Sequence, residues 1–120
     1  MKIRILENSL RLRISQDELE YLRVNRKIES NINFPENVLK YSISEKENGS
    51  ITANFIGGHI SVKVPRTELE TFFRDEEVGM SYENGGVSNL KILIEKDFQC
   101  IAPREGEDES NLFPNPNQSH

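Results

Sequence analysis

Apolar and polar residues alternate along most of the first 97 residues, a pattern that predicts β-strands with one buried face. The clearest case is residues 2–14, in which aliphatic residues alternate with cations on both sides of a turn at residues 7–9. When the two runs pair as a hairpin, the aliphatic residues share one face of the sheet and the cations share the other. We call these cations the cation row: Lys2, Arg4, Arg11 and Arg13.

Six further runs predict six more strands. They cover residues 28–34, 38–44, 51–55, 60–64, 78–83 and 87–95. Residues 48–49 and 57–58 read Asn-Gly and Gly-Gly, which predict tight turns because both residue types tolerate positive φ angles. A further turn is expected at residues 84–86. The run at 90–94 has aliphatic residues on both faces, so we expect this strand at the centre of the sheet.

Two short helices are predicted between the strands. Ser15 and Glu18 have the spacing of a capping box, as N-cap and N3 residues, and the helix that follows should end near Asn25. Pro65 stands at the start of a second helix, which should cover residues 66–74. The expected order of elements is therefore ββαββββαββ.

The expected fold class is α+β, with a predominantly antiparallel, strongly curved sheet or open barrel of about eight strands and two short helices. All predicted connections are short, and short connections join antiparallel neighbours. Residues 1–25 and 51–74 share the order ββα and hint at an internal repeat, although their residues match too weakly to establish one.

The pattern divides the chain into a single α+β domain at residues 1–97 and an extended acidic C-terminal segment at residues 98–120. The alternation ends there, and Pro, Gly, Asn, Asp and Glu become frequent. We expect residues 98–104 to dock on the domain and residues 105–120 to be loosely held.

The residues from Asp97 onward carry −4 of the formal net charge of −5, so an acidic tail follows a nearly neutral domain with a basic face. The tail and the domain are therefore expected to interact, or to bind the same partner.

Composition limits the classes of function. The 120 residues, of which 35% are hydrophobic, are enough for one domain with a single core. The one cysteine, Cys100, permits no intramolecular disulfide, and no run resembles a signal peptide or a membrane span. We therefore expect a cytoplasmic protein with no membrane partner. The mildly acidic net charge argues against general binding of nucleic acid.

Both ends of the chain resemble a family of small bacterial proteins of unknown function. At the start, the resemblance is carried by Lys-Ile-Arg at residues 2–4 and Asn-Ser-Leu-Arg-Leu-Arg at residues 8–13. At the end, it is carried by Lys-Asp-Phe-Gln-Cys-Ile-Ala-Pro-Arg at 96–104, Glu-Asp-Glu-Ser at 107–110 and Phe-Pro-Asn-Pro at 113–116. The resemblance implies no activity or cofactor, but it does imply that the acidic tail belongs to the protein.

The cation row is the first candidate binding site. Arg presents a planar fork of donors that matches phosphate or carboxylate oxygens, so this face could clamp a small anion or an acidic protein segment. The simpler interpretation is a solvated outer face whose cations pair with neighbouring Glu. A basic lumen would resemble the triphosphate tunnel enzymes, but their opening Glu-x-Glu-x-Lys strand is missing. Glu18 and Glu20 fall on a predicted helix, and Leu22 stands where the Lys would be.

The C-terminal segment is the second candidate. We expect it to contact the domain through Phe98, Cys100, Arg104, Glu107, Asp108, Glu109 and Phe113. Its acidic run could fold onto the cation row as an internal mimic of an anion, although acidic runs are usually solvated. The run lacks the spaced Asp/Asn pattern and the Gly of a calcium loop. Phe113 also begins a motif that could be a recognition peptide for another protein.

The sequence predicts no catalytic residue, no metal site and no cofactor. Cys100 lies in an apolar setting, and His59, the base it would need, has no supporting spacing. One Cys and two His cannot form a Cys/His metal site.

The favoured function is that of a small binding or accessory protein that uses the cation row. Two alternatives stay open. One is an enzyme acting on a phosphorylated small molecule, with Arg4, Arg11 and Arg13 as phosphate clamps and tail carboxylates as metal ligands. The other is an interaction module acting through its tail.

Overall fold

The computed structural model describes residues 1–83, 89–98 and 113–114. Within these residues the chain forms two helices and eight strands in the order ββαββββαββ, which confirms the predicted α+β class. The strands are β1 (Lys2–Leu6), β2 (Ser9–Ile14), β3 (Lys27–Asn33), β4 (Val38–Lys46), β5 (Thr52–Ile56), β6 (His59–Pro65), β7 (Gly79–Glu83) and β8 (Lys91–Lys96). The turn predicted at 84–86 lies outside the described residues.

The first helix, α1 (Gln16–Asn25), begins at the predicted capping box. The Glu18 N–H donates to the Ser15 hydroxyl at 3.4 Å, and the Ser15 N–H donates to the Glu18 carboxylate at 2.9 Å. The second helix, α2 (Arg66–Phe72), follows Pro65 and has no side-chain cap. Neither of these two helices has the length and hydropathy that crossing a bilayer requires, and no other helix occurs in the described ranges.

The eight strands form two four-stranded sheets. Sheet A has the order β1-β2-β8-β7, sheet B has the order β3-β4-β6-β5, and neither closes into a barrel. The four sequential hairpins are antiparallel, whereas the two central pairs, β2 with β8 and β4 with β6, are parallel. The mixed sheets thus differ from the expected antiparallel sheet or barrel at these central pairs. Their strands lie far apart in the sequence, where short connections no longer constrain direction.

The two halves of the chain have the same topology. Each follows ββαββ, and exchanging the halves exchanges the sheets, because the order β1-β2-β8-β7 becomes β5-β6-β4-β3. Glu-Leu-Glu at 18–20 recurs at 68–70, and the positive φ of Glu7 (51°) recurs at Gly57 (58°). The sequence hinted at an internal repeat, and the fold contains one: the order of elements repeats, and exchange of the two halves relates the two sheets to each other.

One hydrophobic core joins the inner faces of both sheets and the two helices. Its members with exposures of 0 or 1% are Leu12, Ile14, Leu22, Ile43, Ile51, Val62, Val64, Leu69, Phe72 and Ile94. On β2 these buried residues alternate with Arg11 and Arg13. Because the core covers the inner face of sheet A, the cation row lies on the outer face of that sheet.

Candidate functional site

The cation row lies on the hairpin formed by β1 and β2. The strand register sets Lys2 opposite Arg13 and Arg4 opposite Arg11. Lys2 and Arg4 are exposed, and Arg11 and Arg13 are half-buried at the middle of the sheet. Sheet A is open, so the row faces solvent and does not line a basic lumen.

Two carboxylates from β8 and the residue after it pair with the cation row. Glu95 lies beside Arg13 in the parallel register, with Arg13 Nε 2.7 Å from Glu95 Oε1. The same oxygen lies 3.6 Å from Arg11 Nε. Lys2 Nζ lies 2.8 Å from Asp97 Oδ2. Sequence reasoning did not identify Glu95 as part of this site, because only the β2–β8 pairing brings it there.

Among the residues that the structure describes, the charges of the row are only partly compensated. Like charges directly opposite each other on neighbouring strands are destabilising, and both pairs across this hairpin have like charges. Within the described ranges, Glu95 and Asp97 pair with the row, and Arg4 forms no ion pair with a described residue. The Arg11–Glu95 contact is longer than a hydrogen bond. Arg4 and Arg11 are therefore the part of the row with the greatest excess of positive charge.

A groove of about 540 Å³ borders the row on sheet A. Its lining includes Arg13, Glu95 and Asp97, together with Gly79 from the neighbouring strand. A Cβ atom at Gly79 would stand 2.9 Å from the Ile94 carbonyl oxygen, so glycine permits the close approach of β7 to β8 there. A volume of this size is typical of sites for small molecules.

Phe113, from the C-terminal segment, docks beside this groove. Its N–H donates to the Asp97 carbonyl at 2.9 Å. Its ring meets the Phe98 ring edge-on, with the ring centroids 5.7 Å apart. Phe98 itself lines the groove. The structure thus brings together two of the predicted tail contacts, Phe98 and Phe113, next to a carboxylate that pairs with the cation row.

Lys96 lies under this contact and is almost fully buried, at 4% exposure. Its Nζ lies 5.4 Å from the centroid of the Phe113 ring and 5.6 Å from that of Phe72, and it donates to the Arg74 carbonyl at 2.7 Å. Burial lowers the pKa of the Lys96 ammonium, and the negative charge of Asp75 opposes that shift. Lys96 therefore links the C-terminal segment to α2 through cation–π contacts.

The remaining predicted tail contacts lie outside the described residues. They are Cys100, Arg104, Glu107, Asp108 and Glu109. The folding of the acidic run onto the cation row therefore stays a prediction.

A part-buried Ser–His contact lies on sheet B and was not predicted. Ser42 Oγ lies 2.7 Å from His59 Nε2, because β4 and β6 run side by side. This distance suits a nucleophile and its base, but Ser42 is only 1% exposed, so its hydroxyl is closed to a substrate. No sequence signal links these residues, since their pairing depends on a parallel register. Within the described part of the chain, no group of three or more His, Cys, Asp or Glu side chains could hold a metal ion.

Comparisons with known proteins identify a family but no characterised relative. A search of curated proteins and a search of solved structures each find no match. A family model described as "Family of unknown function (DUF7009)" matches residues 1–117. The match covers both segments that carry the resemblance seen in the sequence, including the C-terminal segment to residue 117. The chain therefore belongs to this family of unknown function.

Proposed function

We propose that the protein is a small cytoplasmic binding protein that holds an oxyanion, a phosphate or carboxylate group, at the cation row. The observation that carries this proposal is the cross-strand Arg4–Arg11 pair. Arg4 forms no ion pair with a described residue, and Arg11 lies 3.6 Å from Glu95 Oε1, an oxygen that Arg13 approaches more closely. A bound oxyanion would compensate both charges. Guanidinium groups form bidentate hydrogen bonds with such oxygens, which a lysine ammonium cannot match in geometry.

The partners of the other two cations support a division of roles within the row. Asp97 and Glu95 hold Lys2 and Arg13 in place at 2.8 and 2.7 Å. Arg4 and Arg11 are left as the pair that contacts the ligand. The adjoining groove of about 540 Å³ could hold the rest of a ligand that carries the anionic group.

The test is thermal unfolding in phosphate, against chloride at equal ionic strength. At ten times its dissociation constant, phosphate should stabilise the native protein by about 1.4 kcal/mol, a rise of roughly 6 °C in Tm. Arg4→Ala and Arg11→Ala should remove this rise. Arg23→Ala, at an exposed Arg paired with Glu20 on α1, is the matched control and should keep it. An equal rise in chloride, or an unchanged rise in Arg4→Ala, would contradict the proposal.

The docking of Phe113 favours a competing or bracing role for the C-terminal segment over that of a free recognition peptide. Phe113 contacts Phe98 and Lys96 of its own chain, beside the groove. If the segment competes with the ligand, a chain ending at residue 104 should bind phosphate more tightly than the full chain in the same titration. If it only braces the domain, the shorter chain should have a lower Tm and the same phosphate affinity.

A further inference from the structure

The outer face of sheet A holds a second depression, which lies beside the Arg4–Arg11 pair. It has a volume of about 290 Å³ and extends over β8, with β2 on one side and β7 on the other. The strand register sets six of its lining residues on the face that also carries the cation row. We call these residues the β8 trough: Ser9, Arg11, Ser81, Glu83, Lys91 and Leu93.

Lys91 brings a third cation to the Arg4–Arg11 pair. It lies beside Ser9 in the parallel register, and Arg11 is two residues further along that strand. The strand spacing and the rise per residue set Lys91 and Arg11 about 8 Å apart, within reach of two long side chains. Lys91 is exposed and, like Arg4, forms no ion pair within the described ranges, not even with Glu83 opposite it on β7. Three cations therefore meet at the β2 side of the trough.

The second repeat shows that the strands themselves do not need these arginines. On sheet B, Asn54 and Ser61 form the cross-strand pair that is equivalent to Arg4 and Arg11. Short neutral residues thus occupy the same outward-facing position of the equivalent hairpin. A polar outer face does not by itself require the two arginines of sheet A, and their mutual repulsion opposes pairing of the strands. A bound anion gives them a purpose that the fold does not.

The three cations favour a phosphate monoester over a carboxylate. A phosphate monoester carries close to two negative charges at neutral pH and has three strong acceptor oxygens. A carboxylate carries one charge on two oxygens, so it would compensate the cations less completely. The guanidinium groups of Arg4 and Arg11 can each hold two phosphate oxygens, and the ammonium group of Lys91 adds a point charge.

The β7 side of the trough indicates what carries the phosphate. Ser81 and Glu83 are exposed there and present a hydroxyl and a carboxylate, both of which accept hydrogen bonds from hydroxyl groups. Leu93, which is half-buried, lies between them and Arg11 and gives the trough an apolar floor. A sugar ring matches this arrangement, because its C–H face is apolar and its edge carries hydroxyl groups. The volume is at the small end of the range for ligand sites, which suits a single ring.

The larger groove beside Arg13 suits such a ligand less well. Two carboxylates, Glu95 and Asp97, line that groove, and both already pair with cations of the row. They would repel a phosphate placed there. The trough has one carboxylate, Glu83, on the side away from the arginines, so it orients the ligand with its phosphate toward β2.

We infer that the ligand is a phosphate monoester of a small sugar or polyol. Its phosphate lies against Arg4, Arg11 and Lys91, and its hydroxyl groups face Ser81 and Glu83. This inference rests on the proposed oxyanion binding at the Arg4–Arg11 pair, and it adds the class of ligand and the role of β7 and β8.

The test is isothermal titration calorimetry of the full chain with inorganic phosphate, glycerol 3-phosphate, ribose 5-phosphate, glucose 6-phosphate and glucose. At least one of the three esters should bind about tenfold more tightly than inorganic phosphate, and glucose should not bind. Lys91→Ala should weaken the binding of inorganic phosphate and of that ester alike, by about fivefold, the effect of one charged hydrogen bond. Glu83→Gln should weaken only the ester, because inorganic phosphate has no hydroxyl group for Glu83 to accept from.

Lys40→Ala is the matched control. Lys40 is the counterpart of Lys91 in the other repeat, because each lies beside the first residue of its parallel neighbour, His59 in one sheet and Ser9 in the other. This variant should bind every probe like the wild type, and circular dichroism should show that all variants are folded.

The outcomes separate this inference from the proposed function. Phosphate binding that depends on Arg4 but not on Lys91, or esters that bind no more tightly than inorganic phosphate, would overturn the inference and leave oxyanion binding in place. A wild-type protein that binds neither phosphate nor any ester would overturn both. A phosphoserine peptide that binds more tightly than every ester would also overturn the inference, and would assign the face to a protein partner.

Discussion

Glu18 connects the first strand, the first helix and the start of the chain. Its carboxylate accepts hydrogen bonds from the Ser15 N–H and from the Met1 ammonium. Met1 is held in turn by the Tyr41 hydroxyl, which donates to the Met1 carbonyl at 2.7 Å. Burial raises the pKa of Glu18, but the hydrogen bonds from Met1 and Ser15 outweigh burial and hold the pKa below its ordinary value of 4.5. The ionised form is therefore favoured in the folded protein.

This pKa predicts the pH dependence of Glu18→Gln. A carboxyl group with a lowered pKa in the folded state contributes stability above its unfolded pKa, and that stability is lost as the pH falls through the folded value. At neutral pH the variant should be less stable by about 1 kcal/mol, and the difference should shrink as the pH falls below 4.5. Urea unfolding at a series of pH values measures both effects. Glu68→Gln, at the equivalent position of the uncapped helix α2, should show a smaller change; an equal change would argue against the role of the Glu18 contacts.

At the scale of elements, the two equivalent hairpin turns share a left-handed first residue but differ in backbone at the second. The β1–β2 turn places Glu7 at a φ of 51°, and the β5–β6 turn places Gly57 and Gly58 at 58° and 76°. Non-glycine residues are disfavoured in this left-handed region. The Gly-Gly pair predicts a tight turn with positive φ angles. The residues around Glu7 predict a turn, but they do not indicate that Glu7 itself has a positive φ angle.

The two glycines should differ in their tolerance of substitution. Gly57→Ala adds a Cβ atom with no neighbour within 4 Å, so only the backbone conformation opposes it, at a cost of about 1 kcal/mol. Gly58→Ala should cost more, because its Cβ atom would also stand 3.1 Å from the Val38 carbonyl oxygen. Urea unfolding of the two variants gives this comparison directly. Equal costs would mean that β4 moves away from the turn without penalty.

At the scale of the whole molecule, neither half of the chain contains a complete sheet. Each sheet combines one hairpin from the first half with one from the second, through a central parallel pair. The core likewise draws on both halves, with Leu12 and Ile14 from one and Val62 and Val64 from the other. The two repeats are therefore one cooperative unit and cannot behave as separate domains.

This arrangement predicts that neither half folds alone. Fragments 1–48 and 49–120 should each lack a cooperative thermal transition. Each fragment contains only one of the two hairpins of each sheet, so its apolar residues stay exposed to water. Equimolar mixing should restore part of the β-sheet signal in circular dichroism. A cooperative transition in fragment 1–48 by itself would show that the first repeat is an independent unit.

Sequence alone determined the features that depend on local chemistry. The order of elements, the capping box at Ser15 and the shared face of the four cations follow from side-chain period, cap preference and turn residues, all of which act over a few positions. Tertiary structure decided the pairing of strands that are distant in the chain. It set β2 beside β8 and β4 beside β6, which brings Glu95 to Arg13 and His59 to Ser42. The physical reason is that alternation specifies which face of a strand is buried but not which partner it meets, and that choice depends on how both halves bury one common core.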